Sequence, residues 1–118
     1  MPRRFIPLAL ILATPALAQV PLKDQTEISE GLIAAAIAYE IGDKCDSINA
    51  RLIRGVSFLN GLRDRAGELG YSDAEIEAYM DDRAEKRRLE AEARARLAAM
   101  GAGDGEWETY CAVGRTEI

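Results

Sequence analysis

Residues 69–76 read LGYSDAEI, and this stretch contains a helix end followed directly by a helix start. Gly70 is the residue type that commonly ends a helix, because glycine readily adopts the left-handed conformation found just past the last turn. Ser72 and Glu75 have the spacing of a capping box, in which their side chains satisfy free amide groups of the first turn. The stretch therefore predicts a turn between two helices.

On the N-terminal side of this turn, apolar residues recur at alternating steps of three and four, which is typical of one packed helix face. They are Ile48, Leu52, Val56, Leu59, Leu62, Ala66 and Leu69. The pattern predicts a helix that starts at Asp46 or Ser47 and is either continuous or kinked at Asn60-Gly61. An apolar run over residues 32–38 predicts an earlier, buried helix from Glu27 to about Ile41.

On the C-terminal side, the pattern predicts one helix from Asp73 to about Met100 and a short last helix from Glu106 to Val113. Charged residues cover residues 81–88 on almost all sides, so we expect the middle of this long helix to stand partly clear of the core. Acid-to-base pairs at i,i+4 are expected at Asp82–Lys86, Glu90–Arg94 and Glu92–Arg96. The predicted fold class is all-α, a small bundle of three main helices plus a short C-terminal helix.

The first 18 residues have the three parts of a cleavable signal peptide. Arg3 and Arg4 precede a short apolar run over residues 5–13, and the segment ends in Ala16-Leu17-Ala18, the A-x-A pattern that signal peptidase accepts. We therefore divide the chain into a signal peptide (1–18), a flexible leader (19–26) and a single helical domain (27–118). This division predicts a periplasmic protein with no stable membrane anchor after cleavage.

The two cysteines of the chain, Cys45 and Cys111, both lie in the predicted exported part. In an oxidising compartment such a pair most simply forms one disulfide, which would hold the last helix near the start of the second. A redox pair usually has C-x-x-C spacing, and a zinc site needs about four ligands. Trp107, Tyr110 and Tyr71 could form an exposed binding cluster, but we expect them to belong to the core, because a lone tryptophan beside a disulfide is more often buried.

Composition excludes several functions and leaves no catalytic residue to assign. Without Arg3 and Arg4, 20 acidic side chains face 13 basic ones, a net charge of −7 that disfavours nucleic acid. The chain has no histidine and no nucleotide-binding or nucleophile motif, so neither a cofactor nor a metal is expected. Asp81, Asp82 and Glu85 are the remaining candidates for acid–base chemistry, and their basic neighbours favour a solvated charged face.

Several motifs together resemble a known family. They are Cys45-x-x-Ile48-x-Ala50-Arg51, Gly70-Tyr71-Ser72-x-x-Glu75-Ile76, Glu85-Lys86, and Tyr110-Cys111-x-x-Gly114-Arg115-x-Glu117-Ile118. In order and spacing they are similar to small exported proteins of alphaproteobacteria grouped as domain of unknown function 5333. The resemblance implies periplasmic residence and paired cysteines, and it implies no activity or catalytic residue.

The expected function is a non-enzymatic binding or accessory module of the cell envelope, with an envelope protein of unknown identity as its partner. The alternatives are an acid-stress periplasmic chaperone and a carboxylate-dependent hydrolase. An exposed apolar groove would favour a binding module. Converging carboxylates with raised pKa values would favour the hydrolase.

Overall fold

A computed structural model of the chain describes residues 2, 19–45, 52–103 and 105–117. As predicted, the described part is helical, and it contains no β-strand. The predicted signal peptide and the predicted start of the second helix at Asp46 or Ser47 lie outside these residues. The helices are α1 (Thr26–Lys44), α2 (Leu52–Glu68), α3 (Asp73–Met80), α4 (Arg83–Ala99) and α5 (Trp107–Glu117), and a 3₁₀ turn at Leu22–Asp24 precedes them. Within the described residues, no helix combines the length and apolar character needed to cross a bilayer.

The turn between α2 and α3 has the structure that its sequence predicts. Gly70 has a φ of +97°, and the amide of Tyr71 donates to the carbonyl of Ala66 at 3.1 Å, which closes the end of α2. The hydroxyl of Ser72 accepts a hydrogen bond from the amide of Glu75 at 3.1 Å. Ser72 is therefore confirmed as the N-cap of α3, and its hydroxyl in turn donates to the Glu75 carboxylate at 3.1 Å.

The predicted helix from Asp73 to Met100 is wrong as a single element, because it is divided into α3 and α4 at Asp81 and Asp82. The Asp82 carboxylate accepts a hydrogen bond from the amide of Glu85 at 3.1 Å and so caps a new helix. Residues 81–84 and 86–88 are exposed, as expected for a charged middle that stands partly clear of the core, whereas Glu85 is buried.

Helix α1 is the central element, because it contacts α2, α4 and α5. Three clusters of buried residues follow it from end to end. Ile28 belongs to the first cluster, together with Ala66, Tyr71 and Ile76. Ile33 packs with Leu89 and Ala93, and Ile41 packs with Leu97, Ala102, Tyr110 and Val113.

The predicted disulfide is confirmed and joins the end of α1 to α5. Cys45 and Cys111 are bonded with their Cα atoms 5.2 Å apart. Helix α5 continues through Gly114 to Glu117, beyond the predicted end at Val113, and both Val113 and Gly114 are buried. Packing of this face therefore outweighs the unfavourable helix propensity of Gly114.

Of the three aromatic residues assigned to the core, Tyr71 and Tyr110 are buried and Trp107 is not. Trp107 is 57% exposed, and the ammonium group of Lys44 lies 5.3 Å from its ring centroid. Trp107 is the first residue of α5, one turn before Cys111 on the same side, so it lies at the end of this helix face, where solvent and Lys44 reach it.

Residues 19–25 pack against the helical domain, which differs from the flexible leader predicted from their polarity and from Pro21. Leu22 is buried in the cluster with Ile28. The Tyr71 hydroxyl donates to the carbonyl of Val20 at 2.5 Å, and the Gln19 side-chain amide donates to the carbonyl of Leu69 at 2.5 Å. The single buried leucine anchors a polar segment that its composition alone describes as mobile.

Helix α2 is continuous through Asn60 and Gly61, but its apolar stripe is only partly packed. Leu62 and Leu69 pack against the first core cluster, in which Ala66 is buried. Val56 and Leu59, earlier on the same stripe, are 51% and 45% exposed. The expectation of one fully packed stripe is therefore wrong for the N-terminal part of α2.

Candidate functional site

A cleft with a volume of about 430 Å³ is bounded by α1, α2, α3 and the start of α4. Its inner lining consists of buried and half-buried apolar side chains: Leu22, Ile28, Leu32, Ala66, Ile76 and Leu89. All of these belong to the first and third core clusters or pack against them. The cleft is thus a gap in the core between well-anchored helices.

The opening of the cleft is apolar in part. Leu59 of α2 and Met80 of α3 line it and are 45% and 61% exposed. Val56 and Phe58 also lie on α2 and are 51% and 46% exposed, although they do not line the cleft. Exposed apolar side chains beside an apolar cleft commonly mark a binding surface.

One buried carboxylate lies in the cleft and is fully engaged by neighbouring side chains. The Arg88 guanidinium donates two hydrogen bonds to Glu85, one of them at 2.9 Å from Nε, and the Tyr79 hydroxyl donates a third at 3.1 Å. The bonds from Arg88 lower the pKa of Glu85, outweighing the opposite effect of burial. Burial, together with the bond to Glu85, raises the pKa of Tyr79 to about 12. At neutral pH the carboxylate is therefore ionised and the phenol is protonated.

The other charged groups of the cleft differ in their partners. Arg63 forms an ion pair with Glu77 of α3. Asp82 caps α4 through the amide of Glu85. Lys86 is exposed, and its ammonium group forms no salt bridge or hydrogen bond with any residue that the structure describes.

Among the predicted i,i+4 ion pairs, Glu92–Arg96 forms at 3.1 Å, and Arg96 also binds Glu30 of α1 at 2.6 Å. The predicted pair Glu90–Arg94 does not form between these described residues, and neither does Asp82–Lys86. The Asp82 carboxylate accepts the amide of Glu85 as the cap of α4 and makes no salt bridge with the Lys86 ammonium group. The break before α4 therefore leaves Lys86 without its expected partner.

Of the candidate catalytic carboxylates, the structure brings Asp82 and Glu85 to the cleft and leaves Asp81 exposed at the end of α3. The lowered pKa of Glu85 is opposite to the raised value that a general acid requires. Among the described residues, no three acidic, cysteine or histidine side chains are grouped to hold a metal ion. In the structure the Asp82 carboxylate caps a helix, and the buried Glu85 carboxylate forms an ion pair with the exposed Arg88 guanidinium.

Sequence reasoning did not identify the cleft itself. The available signal was the length of the apolar stripe on α2, which is longer than the surface that α1 covers. Gly31 of α1 is in close contact with Leu62, and a Cβ atom at position 31 would lie 2.5 Å from the leucine Cδ2 atom. This close approach holds the C-terminal half of α2 to α1, whereas Val56 and Leu59 remain exposed.

Comparison with known proteins assigns the chain to a family. The model of the family of unknown function DUF5333 matches residues 20–118, which include the whole cleft and both cysteines. The chain belongs to the DUF5333 family. No curated protein and no solved structure matches it. Any function of this DUF5333 protein must therefore be inferred from its own residues.

Acidification should leave the helicity of this DUF5333 protein unchanged from pH 7 to 5 and loosen the fold only near pH 3. Arg96 lowers the pKa of Glu30, and Arg88 lowers that of Glu85. Such a carboxyl group adds stability above its unfolded pKa, near 4.3, and that contribution is lost as the pH falls through the folded value.

The measurement is circular dichroism at 222 nm across this pH range, with a dye that reports exposed apolar surface. The chain contains no histidine, so no side chain with an ordinary pKa titrates between pH 7 and 5. A transition centred near pH 6 would contradict this prediction. It would require a buried carboxyl group whose pKa is strongly raised.

Proposed function

We propose that this DUF5333 protein is an exported, non-enzymatic binding module of the cell envelope that accepts an apolar group of its partner in the cleft. The observation that carries the proposal is the apolar cleft, which opens through the exposed side chains of Leu59 and Met80. Its volume of about 430 Å³ lies in the range of pockets that bind small ligands.

Binding of a partner would also explain why apolar side chains of α2 are exposed. A half-exposed phenylalanine, leucine and valine on one helix leave apolar surface in water that a partner would cover. Burial of apolar surface is worth roughly 25 cal/mol per Å², so covering Phe58, Leu59 and Met80 alone supplies a useful driving force. The walls of the site belong to helices that the core anchors, which limits the entropy lost on binding.

The proposed location follows from the signal-peptide pattern before Gln19, and the disulfide is compatible with an oxidising compartment. N-terminal sequencing of envelope material tests it. A chain that begins at Gln19 supports export, and an intact Met1 in that material would contradict it.

The two alternatives, a carboxylate-dependent hydrolase and an acid-stress chaperone, require different properties of the protein. A hydrolase needs a carboxyl group with a raised pKa, and the pKa of Glu85 is lowered by Arg88. An acid-stress chaperone needs client binding at low pH. Aggregation assays with a client protein at pH 3 would distinguish a chaperone from a plain binding module.

Replacing Met80 by glutamate should weaken binding of a neutral apolar dye, such as N-phenyl-1-naphthylamine, at least tenfold. The substitution places a carboxylate on the apolar part of the opening, and its desolvation opposes entry of the dye. Met80 is 61% exposed, so the fold should tolerate the change. Fluorescence titration of the disulfide-bonded chain without residues 1–18 measures the affinity.

The matched control is Met100→Glu, which makes the same substitution at an exposed methionine that does not line the cleft. The control should bind the dye with an affinity within twofold of the unsubstituted protein. If both substitutions weaken dye binding equally, the proposed location of the binding site in the cleft is contradicted. The proposal is also contradicted if the folded protein shows no saturable binding of the dye.

A further inference from the structure

The charged side chains around the cleft are not equally neutralised. Glu85 is paired with Arg88, and Arg63 is paired with Glu77. The Asp82 carboxylate accepts the Glu85 amide at the start of α4, where the positive end of the helix dipole offsets its charge. The ammonium group of Lys86 is the charge of the lining that neither a salt bridge nor a hydrogen bond engages within the described residues.

We propose that the cleft binds a monomeric single-chain carboxylate amphiphile, such as a medium-chain fatty acid. The alkyl chain lies against the apolar lining, and the carboxylate meets Lys86 at the opening. This inference rests on the proposed function, because it specifies the apolar group that enters the cleft.

Charge complementarity selects an anionic head group over a cationic one. Arg83 and Arg87, in the same two turns of α4 as Lys86, also form no salt bridge with any described residue. Lys86 is the one of these three cations that lines the cleft, so it repels an ammonium head group there and attracts a carboxylate, whereas solvent and salt screen the exposed Arg83 and Arg87. The acidic residues of the stretch 82–88 are Glu85, which is paired with Arg88, and Asp82, whose role as a helix cap fixes its carboxylate toward the backbone.

The shape of the site and the charge of the whole protein favour a free amphiphile over a lipid bilayer. The cleft is concave and bounded on several sides, as sites for small ligands usually are. The chain without residues 1–18 has a net charge of −7, which repels an anionic membrane surface at long range. Lys86 attracts a single small anion at short range. The other charges of the protein lie farther from that anion, so salt largely screens their repulsion.

Isothermal titration calorimetry with decanoate, decyltrimethylammonium and decanol, each below its micelle or solubility limit, tests the inference. The protein is the disulfide-bonded chain that begins at Gln19. We expect one decanoate per chain, bound at least fivefold more tightly than decyltrimethylammonium. Lys86→Glu should weaken decanoate binding about fivefold, as expected for loss of one exposed ion pair.

The matched control is Arg87→Glu, which makes the same change in charge at the next residue of α4, a side chain that does not line the cleft. Its affinity for decanoate should stay within twofold of the unsubstituted protein. Lys86→Gln should show a smaller loss than Lys86→Glu, and circular dichroism confirms that each variant is folded. Lowering the salt concentration should strengthen decanoate binding and leave decanol binding unchanged.

The possible failures separate this inference from the proposed function. Equal binding of all three ligands, with Met80→Glu weakening each of them, would overturn carboxylate recognition and leave the apolar site standing. Equal weakening by Lys86→Glu and Arg87→Glu would overturn the role of Lys86. If the protein binds phosphatidylglycerol vesicles but does not bind monomeric decanoate, the proposal that the ligand is a free amphiphile is overturned. Failure of every ligand to bind the folded protein would overturn both proposals.

Discussion

Replacing both Cys45 and Cys111 by serine should lower the free energy of unfolding by about 4 kcal/mol. The bridge closes a loop with a sequence separation of 66 residues, and chain-entropy reasoning gives a loss of this size for such a loop. For a domain of about 100 residues, this loss corresponds to a decrease in Tm on the order of 20 °C. Urea denaturation of the oxidised protein and the double variant measures the difference.

The structural consequence should be detachment of α5. This helix packs against α1 through Tyr110 and Val113, and the disulfide joins it to the residue that ends α1. Reduction of the unsubstituted protein by dithiothreitol is the control, and it should reproduce the loss of stability. A double variant as stable as the oxidised protein would show that apolar packing alone holds α5.

Leu97→Ala should lower the free energy of unfolding by about 3 kcal/mol. Leu97 is fully buried, and it packs with Ile41, Ala102 and Tyr110, so truncation leaves a cavity between α1, α4 and α5. Substitutions of this kind cost roughly 2–5 kcal/mol because the surroundings collapse only partly into the space. Denaturant unfolding with the disulfide intact measures the effect.

The matched control is Leu59→Ala, the same substitution at a leucine of α2 that is 45% exposed. We expect it to cost under about 1 kcal/mol, as for most exposed positions. Similar losses for Leu97→Ala and Leu59→Ala would contradict the core described above. They would show that Leu59 is covered in solution, and therefore that the cleft is closed.

The parts of the fold that the sequence predicts well depend on local signals. Ser72 and Glu75 are three residues apart, so their hydrogen bonds form within a single helical turn and do not depend on the rest of the chain. The same holds for the end of α2 at Gly70. The disulfide was predictable because Cys45 and Cys111 are the two cysteines of the chain, which leaves one pairing.

The break between α3 and α4 was missed although it also has a local signal. Asp82 and Glu85 have the spacing of a helix cap and its third residue, but they lie in a run of charged residues that is typical of an exposed helix face. Apolar residues continue at helical spacing on both sides, which made one long helix the simpler interpretation. Burial of Glu85 depends on Tyr79 and Arg88 reaching it after the chain turns.

The cleft could not be predicted from the sequence, because it depends on how far helices lie from one another. The stripe on α2 identifies the face that carries Leu59, but it does not tell whether another helix covers that face. The docking of Leu22 is equally non-local, since its partners Ala66 and Ile76 lie more than 40 residues away. Lys86 was expected to pair with Asp82, so its unpaired ammonium group became visible only in the structure.

The central claim is that the cleft between α1, α2, α3 and α4 binds an apolar ligand. Methyl-detected NMR of the disulfide-bonded chain, titrated with decanol, tests this claim most directly. We predict saturable shift changes at methyl groups that line the cleft, in particular those of Leu32, Leu59 and Leu89, with little change at Met100 and Val113. Shift changes spread equally over both groups, or none at the cleft, would contradict it.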